Sequence, residues 1–228
     1  MKRIVNIEDI SDGRTYDAND MVKLGVEDCN GCHACCCGTG ETLNLDPYDI
    51  YRLEAGLGLD FRQLFAGHLE LRVADGVIMP FLRMDKELTV THGELKVTEK
   101  EACTFLNENG RCSIHDHRPA ICRLFPLGRL YEESGHKYIL MENECHKERR
   151  IKIKIKKWLE TPDFSKYDAY IDTWHGFITG ITDRAAAMPE EELKSINKAI
   201  LENFYFTDYD VNRDFYGQFQ ERMKNVSH

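Results

Sequence analysis

Apolar positions with helical spacing first appear in the stretch NLDPYDIYRLEAGLG. Ile50, Leu53 and Leu57 would share one face of a helix there. Asp46 is a suitable N-cap, and the proline that follows it is well tolerated at the first helical position. The sequence therefore predicts a helix over this stretch, and it predicts a second short helix, FRQLFAGHL, that is capped by Asp60.

The middle of the chain changes to extended runs that are separated by turn signals. Asp75-Gly76 lies between LRVA and VIMPFL, and His92-Gly93 lies between TVT and ELKV. Asn109-Gly110 gives a third signal of this kind, with a cysteine on each side of it. Such dipeptides between extended runs are typical of β-hairpins. A further strand, HKYILMENEC, is predicted to end near Cys145.

The last part of the chain returns to helical spacing. Leu193, Ile196, Ile200 and Phe204 would lie on one face of a packing helix that has acidic residues in its first turn. The stretch FYGQFQERM predicts a last short helix. Upstream, the strict alternation of IKIKIKK predicts a strand with a solvated lysine face, which is a surface that an acidic protein partner could bind.

Composition and charge exclude several classes of protein. Apolar residues make up 42% of the 228 positions and charged residues 30%, as is usual for a globular protein. The net charge of -9 is unfavourable for binding nucleic acid. No apolar run approaches the roughly 20 residues that span a bilayer, and acids stand where a signal peptide would be apolar. We expect a cytoplasmic protein that binds neither nucleic acid nor a membrane.

Cysteine is the residue type with the most distinctive pattern, because five of the nine cysteines lie between residues 28 and 38. An odd number of cysteines in a reducing cytoplasm argues against a disulfide framework. Overlapping CxxC steps instead let successive thiolates point at one centre. The pattern therefore predicts metal ligation, with these candidate ligands: Cys29, Cys32, Cys35, Cys36, Cys37, Cys103, Cys112, Cys122 and Cys145.

Two kinds of centre fit this pattern. The spacing CxxCxxC begins the ferredoxin-type run and favours an iron–sulfur cluster, expected as [4Fe–4S], whereas all-cysteine zinc sites are the alternative. Because neighbouring side chains diverge, the cysteine-rich loop cannot supply every ligand to one ion, and downstream cysteines must contribute. Histidines are further candidate ligands, of which the first is best placed: His33, His115, His117 and His146.

Two arginines flank Cys122 in the stretch RPAICRLFP. Several thiolates around one centre leave net negative charge, which a guanidinium could offset while it donates hydrogen bonds to sulfur. We therefore predict that Arg118 and Arg123 contact the cofactor. The alternative is that they pair with ordinary carboxylates.

The stretches CNGCHACC and CTFLNENGRCSIHDHRPAICRLFP together resemble the YkgJ-type cysteine-cluster family, CxxCxxCC, described as zinc- or iron-chelating proteins. The resemblance covers about residues 29–146. The chain departs from the family pattern at His33, where the family often has glycine, and at Cys37, which is an extra thiol. The resemblance implies metal-ligand roles for the other eight cysteines: Cys29, Cys32, Cys35, Cys36, Cys103, Cys112, Cys122 and Cys145.

A related branch, the flagellin lysine N-methylases, has similar cysteine motifs and is implicated in iron–sulfur-dependent methyl transfer. This likeness implies an enzymatic alternative, although the chain shows no glycine-rich cofactor loop. Three functions stay open at this point. They are a metal-binding protein with one or two thiolate-ligated centres, an iron–sulfur enzyme that acts on a protein substrate, and a zinc-stabilised interaction module for a protein partner.

We expect an α+β fold, namely an irregular domain that is nucleated by the metal, with short β-hairpins and a helical C-terminal section. The expected organisation is an N-terminal arm over residues 1–28, a cysteine-cluster metal-binding domain over 29–157, and a helical section over 158–228 packed on it. The oligomeric state does not follow from the sequence.

Overall fold

A computed structural model describes residues 7–24, 33–38, 42–92, 95–142, 144–145 and 151–226. The chain forms two units, each assembled from separate segments. The first unit comprises residues 1–39, 84–113 and 120–164, and the second comprises 40–83, 114–119 and 165–228. The mixture of short antiparallel hairpins and a helical C-terminal part confirms the predicted α+β class.

The described secondary structure consists of short strands and helices of very different lengths. The strands are β1 (Met21–Leu24), β2 (Leu69–Ala74), β3 (Val77–Leu82), β4 (Lys86–His92), β5 (Leu95–Ala102), β6 (Leu127–Glu132), β7 (Gly135–Leu140) and β8 (Ile151–Lys154). The helices are α1 (Ile7–Ile10), α2 (Pro47–Leu57), α3 (Phe61–His68), α4 (Ala120–Leu124), α5 (Ile155–Trp158), α6 (Phe164–Ala185), α7 (Glu190–Leu201) and α8 (Phe215–Val226). None of the described helices is both long and apolar enough to cross a membrane.

Each described sheet has two antiparallel strands, paired β1–β8, β2–β3, β4–β5 and β6–β7. The predicted hairpins around Asp75-Gly76 and His92-Gly93 are confirmed by the registers of β2–β3 and β4–β5. The third predicted hairpin, at Asn109-Gly110, is instead a tight loop in which one isolated β-bridge joins Leu106 to Cys112. The Asn107 side chain accepts from the amides of Asn109 and Arg111, at 3.0 Å each, and so closes this loop.

The core of the first unit lies between β1, β6, β7 and α5. Val22 and Leu24 point into it while Met21 and Lys23 are exposed, which is the alternation of a half-buried strand. The segment expected as an irregular N-terminal arm therefore includes a core strand. The predicted lysine-faced strand exists as β8, with Lys152 and Lys154 exposed, but the chain turns into α5 directly after it.

The start of the second unit confirms both predicted helix caps. Asp46 Oδ1 accepts from the Asp49 amide at 2.9 Å, and Asp49 Oδ2 accepts from the Asp46 amide at 3.2 Å, so that α2 begins with a reciprocal capping box. Asp60 and Gln63 form the same arrangement at α3. Helix α2 ends at Gly58, whose φ of 65° is a left-handed conformation that glycine adopts readily.

Aromatic rings fill the core of the second unit. The Tyr48 ring of α2 lies 5.0 Å from that of Phe215 in α8, and Tyr170 of α6 lies 4.7 Å from Phe219. Phe204, in the π-helical turn that follows α7, packs at 5.2 Å against Trp174. Offset and edge-to-face contacts of this kind stabilise a core beyond the apolar area that they bury. They tie the predicted C-terminal helices to α6.

Candidate metal centre

The described part of the cysteine-rich loop runs from His33 to Gly38 and contains one turn of 3-10 helix, Ala34–Cys36. It is fixed to the end of β5 by backbone hydrogen bonds. The Cys103 amide donates to the Cys36 carbonyl at 2.8 Å, and the Gly38 amide donates to the Glu101 carbonyl at 3.0 Å. Cys37 faces Ala102 in an isolated antiparallel bridge. The loop therefore lies beside β5 like a short additional strand.

Thiols from separate segments lie near one another at this junction. The Cys36 thiol is hydrogen-bonded to that of Cys35, and charge on Cys122 and Cys103 acts on it. The hydrogen bond to Cys35, burial and these neighbouring thiols together raise the pKa of Cys36 well above its usual range. Cys122 lies on α4, so two distant segments reach the loop.

Cys103 is the most buried of these thiols, with 7% of the residue exposed. Burial, together with charge on Cys112, raises its pKa to about 11, although the hydrogen bond from the Phe105 amide acts in the opposite direction. The described cysteines are thiols and are not joined in disulfides. The raised pKa values of Cys36 and Cys103 favour their neutral thiols, whereas a bound metal ion would favour the thiolates.

A mixed group of ligand atoms adjoins the loop. His33 Nε2 lies 3.2 Å from Glu99 Oε1, and the ligand atoms of His33, Cys37 and Glu99 all lie within 4.8 Å of one another. Burial, the Glu99 carboxylate and nearby thiols raise the pKa of Cys37 to about 12. Glu99 was not anticipated from the sequence, because one glutamate in LKVTEKEA, 66 residues from His33, carries no signal.

The remaining candidate ligands fall into three groups. Cys145 is half-buried, a short way past the end of β7. His115 and His117 lie in the second unit, where His115 is hydrogen-bonded to Arg118 and the His117 ring packs against Gly56 of α2. Their ligand roles stay predictions. The other three candidates lie outside the described residues: Cys29, Cys32 and His146.

The two arginines that were predicted to contact the cofactor have other partners in the structure. Arg123 is 1% exposed, and its guanidinium donates to the Leu159 carbonyl at 3.3 Å and to the Thr161 hydroxyl. Arg118 lies 2.9 Å from His115 Nε2. Arg123 thus holds the segment after α5 against α4, and contact of either arginine with a cofactor stays a prediction.

Cys36 lies near Cys103 and Cys122, and Cys103 lies near Cys112, so sulfur predominates among the neighbouring donors, which suits zinc or iron. No curated protein and no solved structure matches the chain. The family model CxxCxxCC, whose description is "Putative zinc- or iron-chelating domain", matches residues 28–146, which is more than half of the chain. The chain therefore belongs to the CxxCxxCC family of zinc- or iron-chelating domains.

Proposed function

We propose that this protein binds an iron–sulfur cluster, expected as [4Fe–4S], through thiolates of the cysteine-rich loop and of downstream cysteines. The observation that carries the proposal is the 2.8 Å backbone hydrogen bond that holds Cys103 beside Cys36. Cys35 and Cys122 are close enough to Cys36 for their charge to act on its thiol. Sulfur predominates over imidazole among these donors, and four thiolates are the usual ligand set of such clusters. Cys29, Cys32, Cys112 and Cys145 are the further proposed ligands.

The charge that the neighbouring cysteine thiols would carry when ionised supports a multivalent metal centre. Several buried thiols that influence one another cannot all ionise without a cation, because each thiolate raises the pKa of the others. A bound cation removes this repulsion, and the binding energy then stabilises the folded state. The centre would therefore hold together the loop, the segment after β5, and α4.

The identity of the metal is tested on protein purified without oxygen. Broad visible absorption, with iron and acid-labile sulfide in equal amounts, is the result that the proposal predicts. A colourless protein with zinc and no sulfide would overturn the iron–sulfur assignment and favour a zinc-stabilised interaction module. Methyl transfer to a protein substrate stays a separate prediction, to be assayed on the loaded protein.

We further propose that the protein works in a reducing compartment, expected to be the cytoplasm. The seven cysteines that the structure describes are thiols, and a reducing environment keeps such groups available for metal. Redox titration of the loaded protein under a glutathione buffer is the test. Retention of metal supports the proposal, and loss of metal with disulfide formation contradicts it.

A further inference from the structure

We infer that His33, Cys37 and Glu99 form a second, mononuclear metal site, distinct from the thiolate centre, for Zn²⁺ or a similar divalent cation. The two residues at which the chain departs from its family pattern, His33 and Cys37, are both members of this group. Glu99, on β5, is the third member. The inference concerns this group alone and does not depend on which metal occupies the thiolate centre.

The distances are close to those of a coordination sphere. A tetrahedral zinc ion with ordinary Zn–N, Zn–O and Zn–S bonds separates its ligand atoms by about 3.4–3.6 Å. His33 Nε2 and Glu99 Oε1 are already 3.2 Å apart, and all three ligand atoms lie within 4.8 Å. A bound ion would therefore have to draw the ligand atoms closer by at most about 1.4 Å.

The backbone holds the ligands from two sides. Glu99 pairs with Leu88 in the β4–β5 ladder, next to a register shift between Lys86 and Leu88, so the backbone of the hairpin sets its position. Cys37 is fixed by its bridge to Ala102 and by the hydrogen bond between Gly38 and Glu101. Ligands that are held before the metal arrives lose little conformational freedom on binding.

The donor set selects the kind of metal. Imidazole nitrogen, thiolate sulfur and carboxylate oxygen are the three ligand types that zinc accepts, whereas Mg²⁺ and Ca²⁺ require oxygen. Thiolate and carboxylate together supply two negative charges, which balance a divalent cation. The His33 side chain is 11% exposed and that of Glu99 is 29% exposed, so water can reach the group. Three protein ligands and one water are typical of a zinc site with an open position.

The distances to His33 and Glu99 distinguish Cys37 from the other described cysteines. Cys36 belongs to the 3-10 turn Ala34–Cys36, whereas Cys37 follows it in extended backbone, with φ of -134° and ψ of 140°. Charge on Cys35 and Cys103 acts on both thiols, so the two groups are neighbours. Among the described cysteines, however, only Cys37 lies within 4.8 Å of the ligand atoms of both His33 and Glu99. We therefore assign Cys37, and not Cys36, to this site.

The test compares metal content after loading with zinc, in protein whose thiolate centre is also filled. Glu99→Gln and Cys37→Ser are each expected to remove one equivalent of zinc, with iron and sulfide unchanged. Their zinc affinity should fall by more than the 10–100-fold that substitution of outer-shell residues costs. Glu101→Gln, on the same strand and exposed, is the matched control and should keep the full content.

Unchanged zinc content in Glu99→Gln would overturn the inference, and so would joint loss of zinc and of the thiolate-bound metal. Glu99→Gln keeps the size of the side chain, so it decides the question if Cys37→Ser does not fold. Co²⁺ loading gives an independent readout, since a thiolate-bound Co²⁺ ion is coloured and Cys37→Ser must remove that colour. If the wild-type protein contains no iron and Glu99→Gln still loses one equivalent of zinc, the iron–sulfur proposal is wrong, but the inference of a second site is supported.

Discussion

Replacing Glu54 with glutamine should make the protein clearly more stable at pH 8 and change its stability by less than about 1 kcal/mol at pH 5. Glu54 lies on α2 in the second unit and is only 5% exposed. Burial, helped by the charge on Asp208, raises the pKa of its carboxyl to about 7. The Tyr209 amide and the Arg222 guanidinium oppose this shift without cancelling it.

The sign and size of this effect follow from the difference between the pKa of Glu54 in the folded protein and its pKa in the unfolded chain. The pKa rises from 4.5 to about 7, so between these values the folded protein keeps a proton that the unfolded chain has released. The contribution of Glu54 to the free energy of unfolding therefore falls as pH rises from about 4.5 to about 7, and it is constant above that range. At about 1.4 kcal/mol for each pKa unit, the ionised Glu54 costs the fold at most about 3 kcal/mol.

Urea unfolding of the wild type and of Glu54→Gln, at pH 5 and at pH 8, measures this difference. The two proteins are compared at the same pH, so an effect of pH on metal binding is common to both and does not enter the difference. Glu192→Gln, an exposed position on α7, is the matched control and should change little at either pH. An equal effect of Glu54→Gln at both pH values would refute the reasoning, because the effect would then not arise from ionisation.

Substitutions at three further positions probe the second unit, and urea unfolding at one pH measures each of them. Arg222→Ala should cost about 2–4 kcal/mol, because the guanidinium donates to three backbone carbonyls and lies 3.6 Å from the centre of the Tyr209 ring. A loss below about 0.5 kcal/mol would contradict this role. Asn197→Ala should cost about 2–3 kcal/mol, because this buried amide accepts from Ile78 N at 2.7 Å and donates to the Gly76 carbonyl at 2.9 Å; retention of wild-type stability would exclude a bridging role. Asp46→Ala should cost about 1 kcal/mol through loss of the helix cap, and Asp46→Asn should recover most of it.

The features that the sequence predicted well are those with local causes. Asp46 and Asp60 cap helices through atoms three residues away, and the turn at Asp75-Gly76 joins strands that are adjacent in the chain. Such signals need no knowledge of distant contacts. The cysteine motif is also local, which is why the family was found from the motif and confirmed by the match over residues 28–146.

The features that were missed depend on distant partners. β1 is a strand because Val22 and Leu24 enter a core formed with β6 and β7, and four residues are too short to show a period on their own. The contact of Glu99 with His33 joins positions 66 residues apart. The hydrogen bond of Arg123 to the Leu159 carbonyl joins positions 36 residues apart, and the sequence carries no signal for it.

The central claim is that cysteines from separate segments ligate one centre, and single substitutions test it most directly. Cys112→Ala and Cys122→Ala should each lower the content of the same metal and leave the protein poorly folded, as judged by metal analysis and circular dichroism. Arg111→Ala, an exposed neighbour of Cys112, should keep the full content. Full metal content in both cysteine variants would contradict the shared centre.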